Sequence, residues 1–357
     1  MESRRLTRRG FMAVTGAGAV AMAGATAPWI GQGANAEERG GSQRDARQLA
    51  DAVLAAFEHH LVVAIGEIHG QQEHHDALQV MLADPRLPEV LDDIVVEFGN
   101  ALYQPTMDRF VAGPAVENTD LRLVWRNTTQ SPMSTWDAPV YEQLYRLVRA
   151  ANWPLPPAKQ IRVLLGDPPI DWARVTTRDD VIAFLAERDD HMASVVRTEV
   201  LDKGRRALIC YGSVHVAHAP AGDPGGGGVA QLEQETGQHV YVILAGGHPR
   251  LSSYPRRTVI PCRGTWLESA DAGQFGYMPS LFCGTTLGSL ADAVLYLGQE
   301  KDQTQSLWNP AIYLDPQYWA ELQRRNAIMG NHVDLEKQYR QVQSVRWPVP
   351  TGPRCPS

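Results

Sequence analysis

Long apolar runs are scarce in this 357-residue chain: beyond an Ala/Gly-rich stretch ending near Ile30, none approaches membrane-spanning length. A membrane bundle is therefore excluded. Cysteine is nearly as sparse, and Cys210, Cys262, Cys283 and Cys355 form neither a C-x-x-C pair nor any zinc-like spacing. Basic charge is in deficit, with 33 Lys and Arg against 40 Asp and Glu, so nucleic acid and anionic lipid are not default partners. The glycine run Gly225 to Gly228 is not followed by Lys-Ser/Thr, which sets phosphate-loop nucleotide binding aside. No repeat of fixed period and no heptad or collagen pattern is present. What remains, at 44% apolar and 20% charged residues, is enough to bury a sizeable core.

The head of the chain differs from the rest. Arg4, Arg5, Arg8 and Arg9 stand against Glu2 alone, so the excess of acid is concentrated after residue 36. Thr7-Arg8-Arg9-Gly10-Phe11-Met12, a weakly apolar stretch and Ala34-Asn35-Ala36 read as a twin-arginine signal peptide over 1–36. An N-terminal anchor is the competing account. The signal implies engagement of the twin-arginine translocase, export to the periplasm or exterior, and no stable membrane span in the mature protein. That route also carries cargo with cofactors already inserted.

From 37 to 357 the pattern predicts a single α/β domain, three-layered α/β/α with a mainly parallel central sheet and helical insertions. Short uniformly apolar runs at Leu61 to Ile65, Ile94 to Val96, Ile161 to Leu165, Ala207 to Tyr211, Val240 to Leu244 and Ala293 to Leu297 read as buried parallel strands. Helical spacing marks Gln43 to His60, Glu73 to Leu82, Gln104 to Val111, Val140 to Ala151, Val181 to Val200 and Pro316 to Met329. An insertion at about 112–139 holds Trp125 and Trp136, and an irregular segment at about 246–290 reads as a hairpin, a lid or a subunit contact. A Cys262-Cys283 disulfide suits an oxidising compartment, with Cys355 as rival partner.

In open parallel sheets, ligands gather beyond the carboxyl ends of the strands. Here those ends carry Glu67 and His69, then Glu97, then Asp167, then His215. Glu67 and His69, two apart on an extended segment, point the same way and suit an oriented acid/base pair or two legs of a metal site. A helix cap beside a surface histidine is the plainer account. Glu97 ends a β-branched run and needs a partner such as His69, Arg188 or a metal, unless it caps the helix from Gln104. Asp167 before Pro168-Pro169 suits a turn as readily as a substrate contact. Arg188 opens a charged helical run that reaches over the rim or is simply solvated. His215 suits a ligand or general base, and His218 joins it or is structural. His74 and His75 suit metal or haem, with a hydrated surface favoured.

Gly66-Glu67-Ile68-His69-Gly70 with His74-His75, Val95-Val96-Glu97, Arg188-Asp189-Asp190-His191-Met192-Ala193 and Tyr211-Gly212-Ser213-Val214-His215, in that order, resemble the superfamily that joins erythromycin esterases, ChaN-like haem-binding uptake proteins and Tiki/TraB proteases. The resemblance covers about residues 48 to 218, with 291–298 similar to a late shared strand. It implies a common cleft for Glu67, His69, Glu97, Arg188 and His215. The one-residue gap between Glu67 and His69 is closer to the ChaN-like branch. Trp125, Trp136 and the stretch from Asn152 to Asp167 look more like the esterases.

Two functions follow as expectations. The first is an exported hydrolase of a small-molecule ester or related bond. His69 would be its general base, Glu67 or Glu97 the orienting carboxylate, and Arg188 and His215 the oxyanion stabilisers. Asp167, Trp125 and Trp136 would contact substrate. A variant holds a divalent metal on His69, His215 and Glu67. The second is a haem- or metal-binding protein without turnover, with His74, His75, Tyr103 or Tyr211 as axial ligands.

Overall fold

The computed structural model describes residues 47–218, 226–276, 278, 280–306 and 310–341. The signal-peptide reading over 1–36 falls outside them. None of the described helices is long and apolar enough to cross a membrane.

Seven strands form one sheet in the order β3-β2-β4-β1-β5-β7-β6. They are β1 Val62–Glu67, β2 Asp93–Asn100, β3 Arg162–Asp167, β4 Ala207–Gly212, β5 Tyr241–Ala245, β6 Thr258–Pro261 and β7 Ala293–Tyr296. All pairings are parallel except that of β6, which runs antiparallel to β7 at the edge. The uniformly apolar runs are explained by two covered faces. Val63 and Ile65 of β1 enter one core, while Val62 and Ala64, alternating with them, enter the other. Each of the valines and the isoleucine, taken from water to full burial, contributes roughly 1.5–3 kcal/mol.

The helices are α1 over 47–56, α2 Gln72–Leu82, α3 Gln104–Ala112, α4 Asn118–Arg126, α5 Pro139–Asn152, α6 Arg178–Ala186, α7 Arg188–Glu199, α8 Ser213–Val216, α9 Gly228–Thr236, α10 Leu287–Leu290, α11 Pro316–Ile328 and α12 Leu335–Gln341. Leu49 and Val53 of α1, Leu78 and Met81 of α2, and Tyr141 and Leu144 of α5 line the first core. Met192 and Val196 of α7 and Val229 and Leu232 of α9 line the second. The result is the three-layer α/β/α arrangement.

Two expectations are corrected and a third is narrowed. The helix read over 181–200 is two, because α6 buries Val181 against Ile170, Trp172 and Val175 while α7 docks on the sheet, so the chain breaks at Glu187. The segment from 246 to 290 supplies β6 and buries Leu251, Leu267, Phe275 and Leu287 in the second core; it is interior packing with a sheet-edge strand. Cys262 is a free buried thiol whereas Cys283 is disulfide-bonded, so the two are not joined to each other. Cys355, the rival partner, lies outside the described residues.

Candidate functional site

Parallel register brings the strand ends to one rim. Glu67, the last residue of β1, lies opposite Gly212, the last of β4. On the other side of β4, the ladder between β2 and β3 shifts register between Val96 and Asn100. Glu97 lies in that shift, and its Oε2 accepts the Gly212 N–H at 2.7 Å. A Cβ on Gly212 would stand 2.8 Å from the His69 ring, so only glycine lets the imidazole close over this strand end. Gly70, at φ +76°, makes the turn that leaves His69 at the rim and starts the chain toward α2.

Two histidine–carboxylate pairs face each other across Glu97. His69 Nδ1 lies 2.9 Å from Glu67 Oε1, and His215 Nδ1 lies 2.7 Å from Asp189 Oδ1. Each ring turns its other nitrogen inward, so that both Nε2 atoms stand 3.7 Å from Glu97 Oε1. That spacing is too long for a direct hydrogen bond. Arg188 Nη2 donates to the same Glu97 oxygen, as does Gln130 Nε2 at 3.0 Å. Arg188 Nε lies 3.9 Å from Asp167 Oδ1. Thus Glu67, His69, Glu97, Arg188 and His215, drawn from four separate stretches of sequence, do converge.

The surroundings fix the charge of each group. Burial would raise the Glu67 pKa, but His75 and His69 more than reverse it and hold the carboxyl well below its usual range. Glu97 is likewise held low, burial being outweighed by His69, Arg188 and His215. Burial pulls His69 down, yet Glu97 and Glu67 carry it above the ordinary imidazole range. Asp189 stays low because the bonds from His215 and the Gly228 N–H exceed the effect of burial. Asp167 differs: burial pushes it up to about 7 although Thr129 donates to both its oxygens. It is 2% exposed, so it is neither an open turn residue nor a free substrate contact.

Other side chains hold this set in place. Tyr141 Oη accepts the Gly70 N–H at 2.7 Å and donates to Glu67 at 3.2 Å. Trp136 packs edge-on against the His69 ring at 4.6 Å. Arg325 of α11 bonds Arg126 O, Asn127 Oδ1 and Ser131 Oγ, pinning the loop that presents Thr129 and Gln130. Across the first motif, Gln305 Nε2 donates to His69 O. Asp189, Gln130, Thr129 and Tyr141 were not singled out as site residues by the sequence, and His75 was offered there only as a metal or haem ligand, not as the partner of Glu67. Only Asp189, beside Arg188, carried a usable signal there.

The metal and haem assignments are corrected by this geometry. Glu67 is turned to His69 Nδ1 and to His75 Nε2, 2.7 Å away, so it backs the histidine instead of joining His69 and His215 as a third ligand. Arg188 already occupies the charge-compensating place beside Glu97, where a cation would be repelled. His74 and His75 are each 1% exposed, contrary to a hydrated surface, and burial drives His74 down to about 3. Tyr211 is buried against Gly166, and Tyr103 Oη accepts from Asn127 Nδ2. His74, His75 and Tyr211 lack the open face an axial haem ligand needs, and the Tyr103 oxygen is engaged by Asn127. Trp125 and Trp136 are also buried; Trp125 borders a cleft of about 340 Å³ with Arg122, Asp137 and Arg146, lined by none of the five rim residues. His218 belongs to another cluster.

No family model matches the chain, and no curated protein matches it. Among solved structures, a succinoglycan biosynthesis protein aligns over 72% of this chain and 97% of its own length, with TM-score 0.50 and 7% identity. A Bacillus cereus protein aligns over the same shares with TM-score 0.47 and 10% identity. RRSP, a MARTX toxin effector domain from Vibrio vulnificus, aligns over 56% of this chain and 35% of its own, with TM-score 0.34 and 16% identity. At these identities the first is a likeness of fold alone.

Proposed function

We propose that the rim site is the active site of an exported hydrolase that cleaves a small-molecule ester or related bond by acid/base catalysis. The observation that carries the reading is the facing pair of histidines, each with Nδ1 held by a carboxylate and Nε2 aimed at the same point. An imidazole held this way keeps its proton on Nδ1, leaves Nε2 free to take one, and gains stability as imidazolium from the carboxylate behind it.

His69 Nε2 takes a proton from water as it attacks, with Glu67 behind it. The Arg188 guanidinium meets the negative charge that develops on the substrate oxygen. The proton taken by His69 passes through solvent to the Nε2 of His215, which Asp189 orients, and from there to the leaving group, so that both imidazoles end as they began. Glu97 orients Arg188 and keeps the two imidazoles polarised toward the centre. The order of motifs supports kinship with the erythromycin esterase, ChaN-like and Tiki/TraB superfamily, and the twin-arginine head supports export.

The test is hydrolysis of small chromogenic esters such as p-nitrophenyl acetate and butyrate by the full chain. His69→Ala should lower kcat by about 10²- to 10⁴-fold with an unchanged circular dichroism spectrum. The rising limb of rate against pH should lie above the ordinary imidazole range, since the carboxylates raise His69. Full turnover in His69→Ala would remove the assignment.

A further inference from the structure

A second histidine–carboxylate cluster lies beside the starting ends of β5 and β7, away from the rim. His218 follows α8, Glu233 lies on α9, His239 precedes β5 and Asp292 precedes β7. Asp292 Oδ2 is 3.1 Å from His218 Nε2, and Asp292 Oδ1 is 3.1 Å from His239 Nε2. Behind the rings, Glu233 reaches both remaining nitrogens, His218 Nδ1 at 2.9 Å and His239 Nδ1 at 3.1 Å. The two rings are stacked at 4.9 Å.

We infer that His218, His239 and Asp292 bind a divalent transition metal of the zinc type, with Glu233 as the carboxylate that orients both imidazoles. Three features carry this. One donor atom from each of the three residues lies within 4.8 Å of the others, the only such group of three among the described residues. A single carboxylate on both Nδ1 atoms orients both rings alike and turns both Nε2 atoms toward Asp292, where a bound metal would replace the hydrogen bonds they make to that carboxylate, with the carboxylate backing found behind metal-bound histidines. The carboxylates are themselves fixed by backbone: Val240 N–H donates to Glu233 at 2.9 Å and Val242 N–H to Asp292 at 2.8 Å.

Ligand chemistry and access agree with this assignment. Two imidazoles and a carboxylate with a place left for water suit zinc-like cations, not calcium or magnesium. The His239 side chain is 51% exposed, so an ion can enter and the ring can tilt out of the stack to bring its Nε2 onto the metal. The site would tie α9 and the segment after α8 to the starts of β5 and β7. That makes it a structural staple independent of turnover at the rim.

The test uses the full chain stripped with EDTA and dialysed against zinc chloride, with cobalt as a spectroscopic probe. The expected result is one equivalent of zinc abolished by His218→Ala/His239→Ala and retained in His69→Ala, and a visible cobalt d–d band that follows the same pattern. Glu233→Gln should keep the stoichiometry but weaken affinity by about 10- to 100-fold. His239→Ala alone, at a half-exposed position, keeps the result readable if the double variant does not fold. No uptake at about 100 µM free zinc, or uptake unchanged in His239→Ala, would overturn the site.

Discussion

The two histidine–carboxylate clusters use the same residue types and differ in what each ring nitrogen meets. At the carboxyl rim, His69 and His215 each give one nitrogen to a carboxylate and leave the other 3.7 Å from Glu97. At the amino edge, both nitrogens of His218 and of His239 contact carboxylate oxygens at 2.9–3.1 Å. An imidazole with one nitrogen free can move a proton, whereas one engaged on both sides is fixed in place. The supports differ too: Glu67 and Glu97 are nearly fully buried, while Glu233 and Asp292 keep contact with solvent. The rim therefore depends more on pairing, because a buried charge without its partner is costly.

The largest expected stability effect tests that dependence. Glu97→Ala leaves Arg188 without its main counter-charge and the Gly212 N–H without its acceptor, and should destabilise by about 3–5 kcal/mol. Adding Arg188→Met should recover part of the loss, since it removes the orphaned charge. Chemical denaturation of the two single variants and the double variant measures the coupling. Additive losses would mean that the pair is weaker than its burial implies.

A smaller change separates orientation from bulk. Asp189→Asn keeps the shape beside His215 but no longer stabilises its imidazolium or dictates its tautomer. Turnover should fall by roughly 10- to 10²-fold with little change in KM, less than for His69→Ala because Asp189 is partly exposed. Equal kcat in wild type and variant would place His215 outside proton transfer.

The six core strands, and the rim they make, were legible because parallel strands buried on both faces leave continuous apolar runs. Edge strand β6 was not: Thr258–Pro261 includes a proline and is covered on fewer sides, so its sequence has no such run. The convergence of Glu67, His69, Glu97 and His215 was legible because each lies at or near the carboxyl end of a parallel strand, whereas Arg188, which opens α7, stood out only as the head of a charged helical run. Tyr141 was not legible, since its position on the buried face of α5 follows the same helical period as its core neighbours Leu144 and Tyr145. His74 and His75 were misplaced on the surface for a similar reason. Polarity argued for solvent, but α2 turns both inward behind Glu67, a tertiary placement that local pattern does not encode.

The buried His74 gives the rim an acid-side weakness. Its folded value near 3 lies below the ordinary 6.5, so the unfolded chain binds the extra proton first and stability falls as pH drops below 6.5. The linkage is about 2 kcal/mol by about pH 5, and the lowered Glu67 and Glu97 add their own loss further into acid. His74→Leu removes a buried imidazole whose Nδ1 has no hydrogen-bond partner and should flatten the limb between pH 6.5 and 3. Melting temperature across that range measures it, and an unchanged limb would assign acid lability elsewhere.

The amino edge should fail at the opposite end of the scale. In chelator-treated protein, burial lowers His218, but Asp292 and Glu233 outweigh it and carry the group to about 9. A folded value above the unfolded 6.5 gives stability that is complete below pH 6.5 and is lost as pH rises through 9. Partial exposure reduces the effect to on the order of 1 kcal/mol. His218→Asn should therefore flatten the alkaline limb while leaving the acid limb as in wild type, and His74→Leu should do the reverse. If both substitutions moved the same limb, the two clusters would be coupled through the sheet, and the contrast between a proton-moving rim and a fixed edge would not hold.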